Sequence, residues 1–152
     1  MKAISKYTVK LVRESQPRYN ITDKIADSSA KAKELLDVIT CWREWHNEKF
    51  GMLCLDSQNN VIGYHIITEG TVNETFISGR EVAVRALLNN ASAVMLFHNH
   101  LGGSRVPSQA DLKATECIYN ALKTLNIRLL DHIILLDDPV SMAERGDLPK
   151  EG

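Results

Sequence analysis

From Asp27 onward the chain switches repeatedly between two hydrophobic periodicities, and that alternation restricts its possible folds more than any other feature. "DSSAKAKELLDVITCWREWHNE" (27–48) opens on capping residues and carries Ala32, Leu35, Leu36, Ile39 and Trp42 at helical spacing. This predicts one amphipathic helix, with Trp42 and Trp45 on its packing stripe and edge. "KFGMLCLD" and "NNVIGYHIITEG" read as strands joined by the turn "SQNN", and "SAVMLFH" reads as a third. "SGREVAVRALLNN" and "SQADLKATECIYNALKTLN" read as helices, "IRLLDHIILLD" as a strand, and "SMAERGDL" as a terminal turn. The order is helix, two strands, helix, strand, helix, strand. It predicts an α/β domain over 27–152, a mixed β-sheet flanked by helices on both sides. Ahead of it, residues 1–26 form an extension: "KYTVKLVR" alternates polar and apolar side chains as an edge strand does, and "ESQPRYNITDK" has the turn residues of an irregular connection.

A chain of 152 residues, 44% hydrophobic, matches one domain able to bury about 70% of its unfolded surface. Eighteen Lys and Arg against nineteen Asp and Glu give a net charge of -1, so the electrostatic footprint of a dedicated nucleic-acid binder is missing. Apolar runs such as "AVMLF" and "HIILL" fall far short of the roughly 18 residues that span a bilayer, and the N-terminus has no signal-peptide pattern. The expectation is a cytoplasmic protein. Cys41, Cys54 and Cys117 form no CxxC pair, which argues against a disulfide framework and a cysteine zinc site and leaves them as buried small hydrophobes.

The chemistry concentrates in "FHNHLGGSRVPSQAD" (97–111). Side chains on a strand alternate faces, so His98 and His100 point to one side where "AVMLFHNH" runs out into a loop, and Asn99 points away. Two imidazoles on one face suit zinc, whose catalytic sites take three protein ligands and keep a position open for water. Asp111 is the candidate third ligand: Ser108 and Asp111, three apart, share a face of the first turn of the next helix, and the glycine-containing loop can fold them back toward the histidines. Pro107 suits the helix entrance. The same S-x-x-D is also a capping-box signal, with Ser108 at the N-cap and an acid at N3, and Ser108 can do both jobs. Consecutive His-Asn-His is not the layout of the nuclease of that name. The H-x-E and P-C-x-x-C pair of a zinc nucleobase deaminase is absent.

His-x-His, seven residues, then Ser-x-x-Asp resembles the motif of the JAMM (MPN) metalloproteases. "GTV", "GREVAVRALLNNASAVMLFHNH", "PSQAD", "IRLLDHIIL" and "SMAERG" resemble more narrowly its RadC branch, bacterial proteins long labelled as DNA repair factors. The similarity runs from about Asp27 to Leu148. It departs from the branch at "HNHPSG", where Leu101 replaces proline and Gly102 replaces serine, and the helix-hairpin-helix region of longer members is not represented. The resemblance implies a JAMM/MPN, cytidine-deaminase-like architecture, Zn²⁺ on His98, His100 and Asp111, and a catalytic glutamate at the start of an early strand. Glu48, opening "EKFGMLCL", is the favoured glutamate, and Glu69, in "TEGT", is the alternative. It further implies hydrolysis of a peptide or isopeptide bond, with Glu48 as general base and Ser108 hydrogen-bonding the oxyanion.

His132 in "LLDHIIL", preceded by Asp131, reads as a satisfied core histidine, or as an orienting partner of a ligand if its strand adjoins the site. His46 and His65 read as ordinary residues of the fold. Three functions follow: a zinc-dependent peptidase or isopeptidase acting on a peptide or protein substrate, a metal-binding but catalytically weak module in DNA repair or mobile-element biology, and an interaction domain without metal. Intact ligand positions count against the third. Charge leaves direct nucleic-acid binding weak at most.

Overall fold

The computed structural model describes residues 1–70 and 77–150. Its elements in chain order are α1 (Ser29–Thr40), β1 (Glu48–Leu55), β2 (Val61–Gly70), α2 (Gly79–Leu88), β3 (Ala93–Asn99), α3 (Gln109–Thr124), β4 (Arg128–Leu135), β5 (Val140–Ser141) and α4 (Met142–Arg145). The five strands form one sheet in the order β2-β1-β3-β4-β5. β1 runs antiparallel to β2 and β3, β3 parallel to β4, and β4 antiparallel to β5. The parallel pair requires a crossover, which α3 supplies. This is the mixed α/β sheet that the alternation of periodicities predicts.

Strand parity divides the interior into two layers. Leu53, Leu55, Ala93, Met95, Phe97, Ile133 and Leu135 face α1, meeting Ala32, Leu35, Leu36 and Ile39. Phe50, Met52, Cys54, Val94 and Leu96 face α2 and α3, meeting Val82, Ala86, Ile118 and Leu122. β3 is buried along its whole length, which explains its uninterrupted apolar run. Gly51 on β1 is fixed by packing: a Cβ there would press against the ring of Phe97 and lie 2.6 Å from the carbonyl oxygen of His65.

Four expectations need correction. Residues 6–13 form no strand. Tyr7 and Val9 are exposed, and the chain makes its first sheet-like contact only at Ile25, opposite Asn60, because alternation without a partner strand satisfies no backbone groups. The first helix is shorter than its hydrophobic pattern: Cys41 turns left-handed (φ 49°), and Trp42–Glu44 make a separate 3-10 turn from which Trp42 and Trp45 still pack against the α1 layer. Two of the three cysteines, Cys41 and Cys117, are exposed, whereas Cys54 is buried. The C-terminal "SMAERGDL" contributes more than a turn, since Ser141 closes the sheet as part of β5 before α4 begins. In the "GTV" block, Thr71 and Val72 lie outside the described residues. Among the described residues, no helix is long and apolar enough to cross a membrane.

Two outcomes follow. Gly51→Ala will destabilise the fold by about 1–3 kcal/mol, since one obstructing group is a ring in a packed layer and the other a backbone carbonyl of the neighbouring strand; an unchanged urea midpoint would show that the crowding is not real. A disulfide-exchange reagent will titrate Cys41 and Cys117 in the native protein and leave Cys54, whose thiol is pushed up to about 12 by burial, until denaturant is added. Three fast thiols in the native state would contradict this packing.

Candidate metal centre

β3 delivers the two histidines. His98 lies on its α3-facing side, and His100, two residues on, stands at the strand's exit on the same face. There the chain turns: Gly103 adopts φ 72° and donates its N–H to the His100 carbonyl oxygen at 3.0 Å. Six exposed residues (101–106) then lead to α3. At its start Ser108 Oγ accepts from the Asp111 N–H at 3.0 Å, and the Ser108 N–H donates to Asp111 Oδ2 at 2.7 Å, a complete capping box. The cap sets the rotamer that turns the Asp111 carboxylate toward the histidines.

Three candidate ligand atoms converge. His98 Nε2 and His100 Nε2 lie 2.8 Å apart, Asp111 Oδ1 is 3.3 Å from His98 Nε2, and Asp111 Oδ2 is 3.1 Å from His100 Nε2. Tetrahedral zinc with bonds of 2.0–2.1 Å separates its ligands by about 3.3 Å, so this triangle is close to one face of such a tetrahedron. The donor chemistry fits as well. His100 Nδ1 is 2.8 Å from the Ser104 carbonyl oxygen, which only accepts, so Nδ1 carries a hydrogen, and in the neutral ring it is Nε2 whose lone pair faces inward. Burial opposes ionisation of Asp111, but hydrogen bonds from His100 and His98, the nearby His98 charge and the Ser108 N–H outweigh it and hold the carboxyl well below the usual carboxylate range. His100 is held above its ordinary value, first by its bond to Asp111 and against burial, with the Ser104 carbonyl and the charges of Asp111 and Glu48 adding to the effect. The protons shared among these groups are ones a metal ion would displace, and His98, His100 and Asp111 together can hold a metal ion.

The flanking residues sort by strand parity. β1 pairs Phe50 with His98, so Glu48, two residues earlier, is half-buried on the same face of the sheet as both histidines. Glu69 pairs with Lys49 on the opposite face, where its carboxylate lies 3.3 Å from the lysine Nζ. The structure therefore brings Glu48 to the cluster and turns Glu69 away from it. Asn99 also faces away: its Oδ1 accepts from the Lys49 N–H at 2.7 Å and its Nδ2 donates to the Asn47 carbonyl at 3.1 Å, tying the start of β1 beside the end of β3. His65 lies elsewhere, bonded to Asn89 of the α2 terminus, and His46 is exposed.

Behind the cluster sits His132 of β4, fully buried, its Nε2 2.7 Å from His98 Nδ1 and its Nδ1 2.7 Å from Thr115 Oγ1. Burial, aided by the charge of His98, pushes His132 well below its ordinary value and keeps it neutral. Phe50 stacks near His98 with ring centroids 6.1 Å apart and meets His132 edge-on at 5.3 Å, closing the space between them. Asp131, the neighbour of His132, takes no part in the cluster. It accepts from Ser141 Oγ at 2.5 Å and from the Ala143 N–H at 2.9 Å, and so anchors β5 and α4. Phe50 and Thr115 were not singled out from the sequence. The available signal for Thr115 was its place one helical turn after Asp111.

The comparisons agree with this architecture. A family model described as a RadC-like JAB domain matches residues 26–147. A UPF0758 protein of Pseudomonas fluorescens (strain SBW25) is 41% identical over 125 residues, which cover 82% of this chain and 55% of that relative. UPF0758 proteins of Vibrio vulnificus (strain YJ016) and Halorhodospira halophila are 46% and 44% identical over 105 and 107 residues, or 68% and 70% of this chain and 47% and 48% of theirs. The chain thus spans about half the length of the curated relatives it matches. Since the family model covers most of the chain, and the sheet, helices and clustered His-x-His and Asp residues give a fold consistent with it, this protein belongs to the RadC-like JAB domain family.

Proposed function

We propose that this domain is a zinc-dependent hydrolase of peptide or isopeptide bonds, with His98, His100 and Asp111 as metal ligands, Glu48 as general base and Ser108 as oxyanion donor. The observation that carries the reading is the convergence of two imidazole nitrogens and a carboxylate within 4.8 Å of one another, on the face of the sheet that also carries Glu48. A zinc ion bound there supplies Lewis acidity, lowering the pKa of water toward about 7 and polarising a carbonyl.

The chain's own groups do the rest. Glu48, half-buried at the start of β1, takes the proton of the attacking water and returns it to the leaving amine, as a general base then acid. Ser108 keeps its hydroxyl hydrogen free among the described contacts, because its oxygen serves the cap as acceptor, and that hydrogen donates to the oxygen that gains charge. Phe50 and His132 exclude water from behind His98. Involvement in DNA repair or mobile-element biology would rest on a partner or substrate protein, in keeping with a net charge of -1.

Metal analysis tests the ligand set: purified protein will carry about one zinc per chain, and the His98→Ala, His100→Ala double variant will carry none. Stoichiometric zinc in that variant would remove these ligands from consideration. Catalysis is tested by Glu48→Gln, which will keep zinc and fold while lowering turnover about 10²- to 10⁴-fold on any peptide or isopeptide found by library screening. Equal rates for variant and wild type would exclude Glu48 as base. Zinc-loaded wild type that cleaves nothing in a broad screen would favour a metal-binding interaction module instead.

A further inference from the structure

Three short contacts run in series away from the metal cluster: His98 Nδ1 to His132 Nε2 at 2.7 Å, His132 Nδ1 to Thr115 Oγ1 at 2.7 Å, and Thr115 Oγ1 to the Asp111 carbonyl oxygen at 2.6 Å. With neutral imidazole rings, only one placement of hydrogens satisfies all three. A carbonyl cannot donate, so the last contact must use the single hydroxyl hydrogen of Thr115. Its oxygen is then the acceptor for His132, which must carry its hydrogen on Nδ1. His132 Nε2 is therefore a lone pair, and the first contact must use a hydrogen on His98 Nδ1. That leaves His98 Nε2 unprotonated on the side where His100 and Asp111 converge. With the opposite polarity the Thr115–Asp111 contact would hold two oxygens 2.6 Å apart with no hydrogen between them. Thr115 and His132 are both fully buried, so water does not substitute for either partner.

We propose that Thr115 and His132 are positioning residues that lock His98 into the tautomer able to bind a metal through Nε2. The inference rests on the reading of His98 as a metal ligand and deepens it. The first turn of α3 contributes twice: Asp111 supplies a ligand through its side chain, and its backbone carbonyl polarises the hydroxyl that starts the series.

The test uses protein labelled with ¹⁵N-histidine, studied metal-free and with zinc added. Long-range ¹H–¹⁵N correlations will show His132 as the Nδ1–H tautomer in both states, and zinc-bound His98 with its hydrogen on Nδ1. Thr115→Val removes the acceptor at nearly constant volume and will weaken zinc binding about 10- to 100-fold in chelator competition, while Thr115→Ser will restore it. Thermal unfolding of the metal-free variants separates lost affinity from lost fold. An Nε2–H tautomer for His132, or wild-type zinc affinity in folded Thr115→Val, would overturn the proposal. Hydrolysis enters neither readout, so zinc-binding protein that cleaves nothing would end the hydrolase reading and leave this inference standing. If wild type takes up no zinc, the metal reading fails, and the His132 tautomer in metal-free protein still decides the polarity of the series.

Discussion

The reciprocal cap at the start of α3 is the contact on which the site depends. Ser108 and Asp111 each satisfy a backbone N–H of the other, and in doing so they fix a carboxylate that has a second use. Asp111 Oδ2 serves the Ser108 N–H and His100 together, while Oδ1 faces His98. An N-terminal helix position favours the charged form through the unpaired amides of the first turn, so the cap supplies the same negative charge that a cation site requires. Helix capping and a carboxylate turned toward the two histidines are therefore not rival explanations of S-x-x-D here. The same hydrogen bonds accomplish both.

The sheet supplies the complementary rigidity. β3 is held on one side by β1 and on the other by β4, with side chains buried on both faces, so His98 has little freedom. The antiparallel register sets Phe50 opposite His98, and the parallel register sets His132 opposite Leu96, one strand over and on the same face. His98, placed this way, is flanked by an aromatic ring and a second imidazole. Burying a neutral histidine is costly unless both ring nitrogens find partners, and His98 and Thr115 provide them.

Much of this was legible in the sequence because it depends on local spacing. The strand parity of His98 and His100, the three-residue step from Ser108 to Asp111 and the alternation of helix and strand periods all survive folding unchanged. What could not be read depends on register or on partners. Choosing between Glu48 and Glu69 requires the pairing of β1 with β2, which is shifted between Phe50 and Gly51 and again between Cys54 and Leu55. Those irregularities leave no mark in hydrophobic pattern. The early end of α1 at Thr40 is similarly silent, since Cys41 takes a left-handed turn that glycine or asparagine would have advertised. The exposed cysteines show that a small apolar side chain does not reveal its own burial, and residues 6–13 show that alternation specifies a strand only where another strand lies alongside.

The two departures from the RadC-branch loop pattern bear on how much that loop must specify. Leu101 is about half exposed, and a Cβ at Gly102 would meet nothing within 4 Å, so neither position is constrained by packing. The turn is held instead by backbone: the Gly103 N–H on the His100 carbonyl, the left-handed φ of Gly103 and the hydrogen bond between His100 Nδ1 and the Ser104 carbonyl. Of the residues between the histidines and the cap, Gly103 alone needs a conformation that other side chains resist. Proline and serine at 101 and 102 would therefore alter the outer rim of the loop without being required for the orientation of His100, and their replacement by leucine and glycine leaves the geometry of the His98, His100 and Asp111 cluster resting on groups this chain retains.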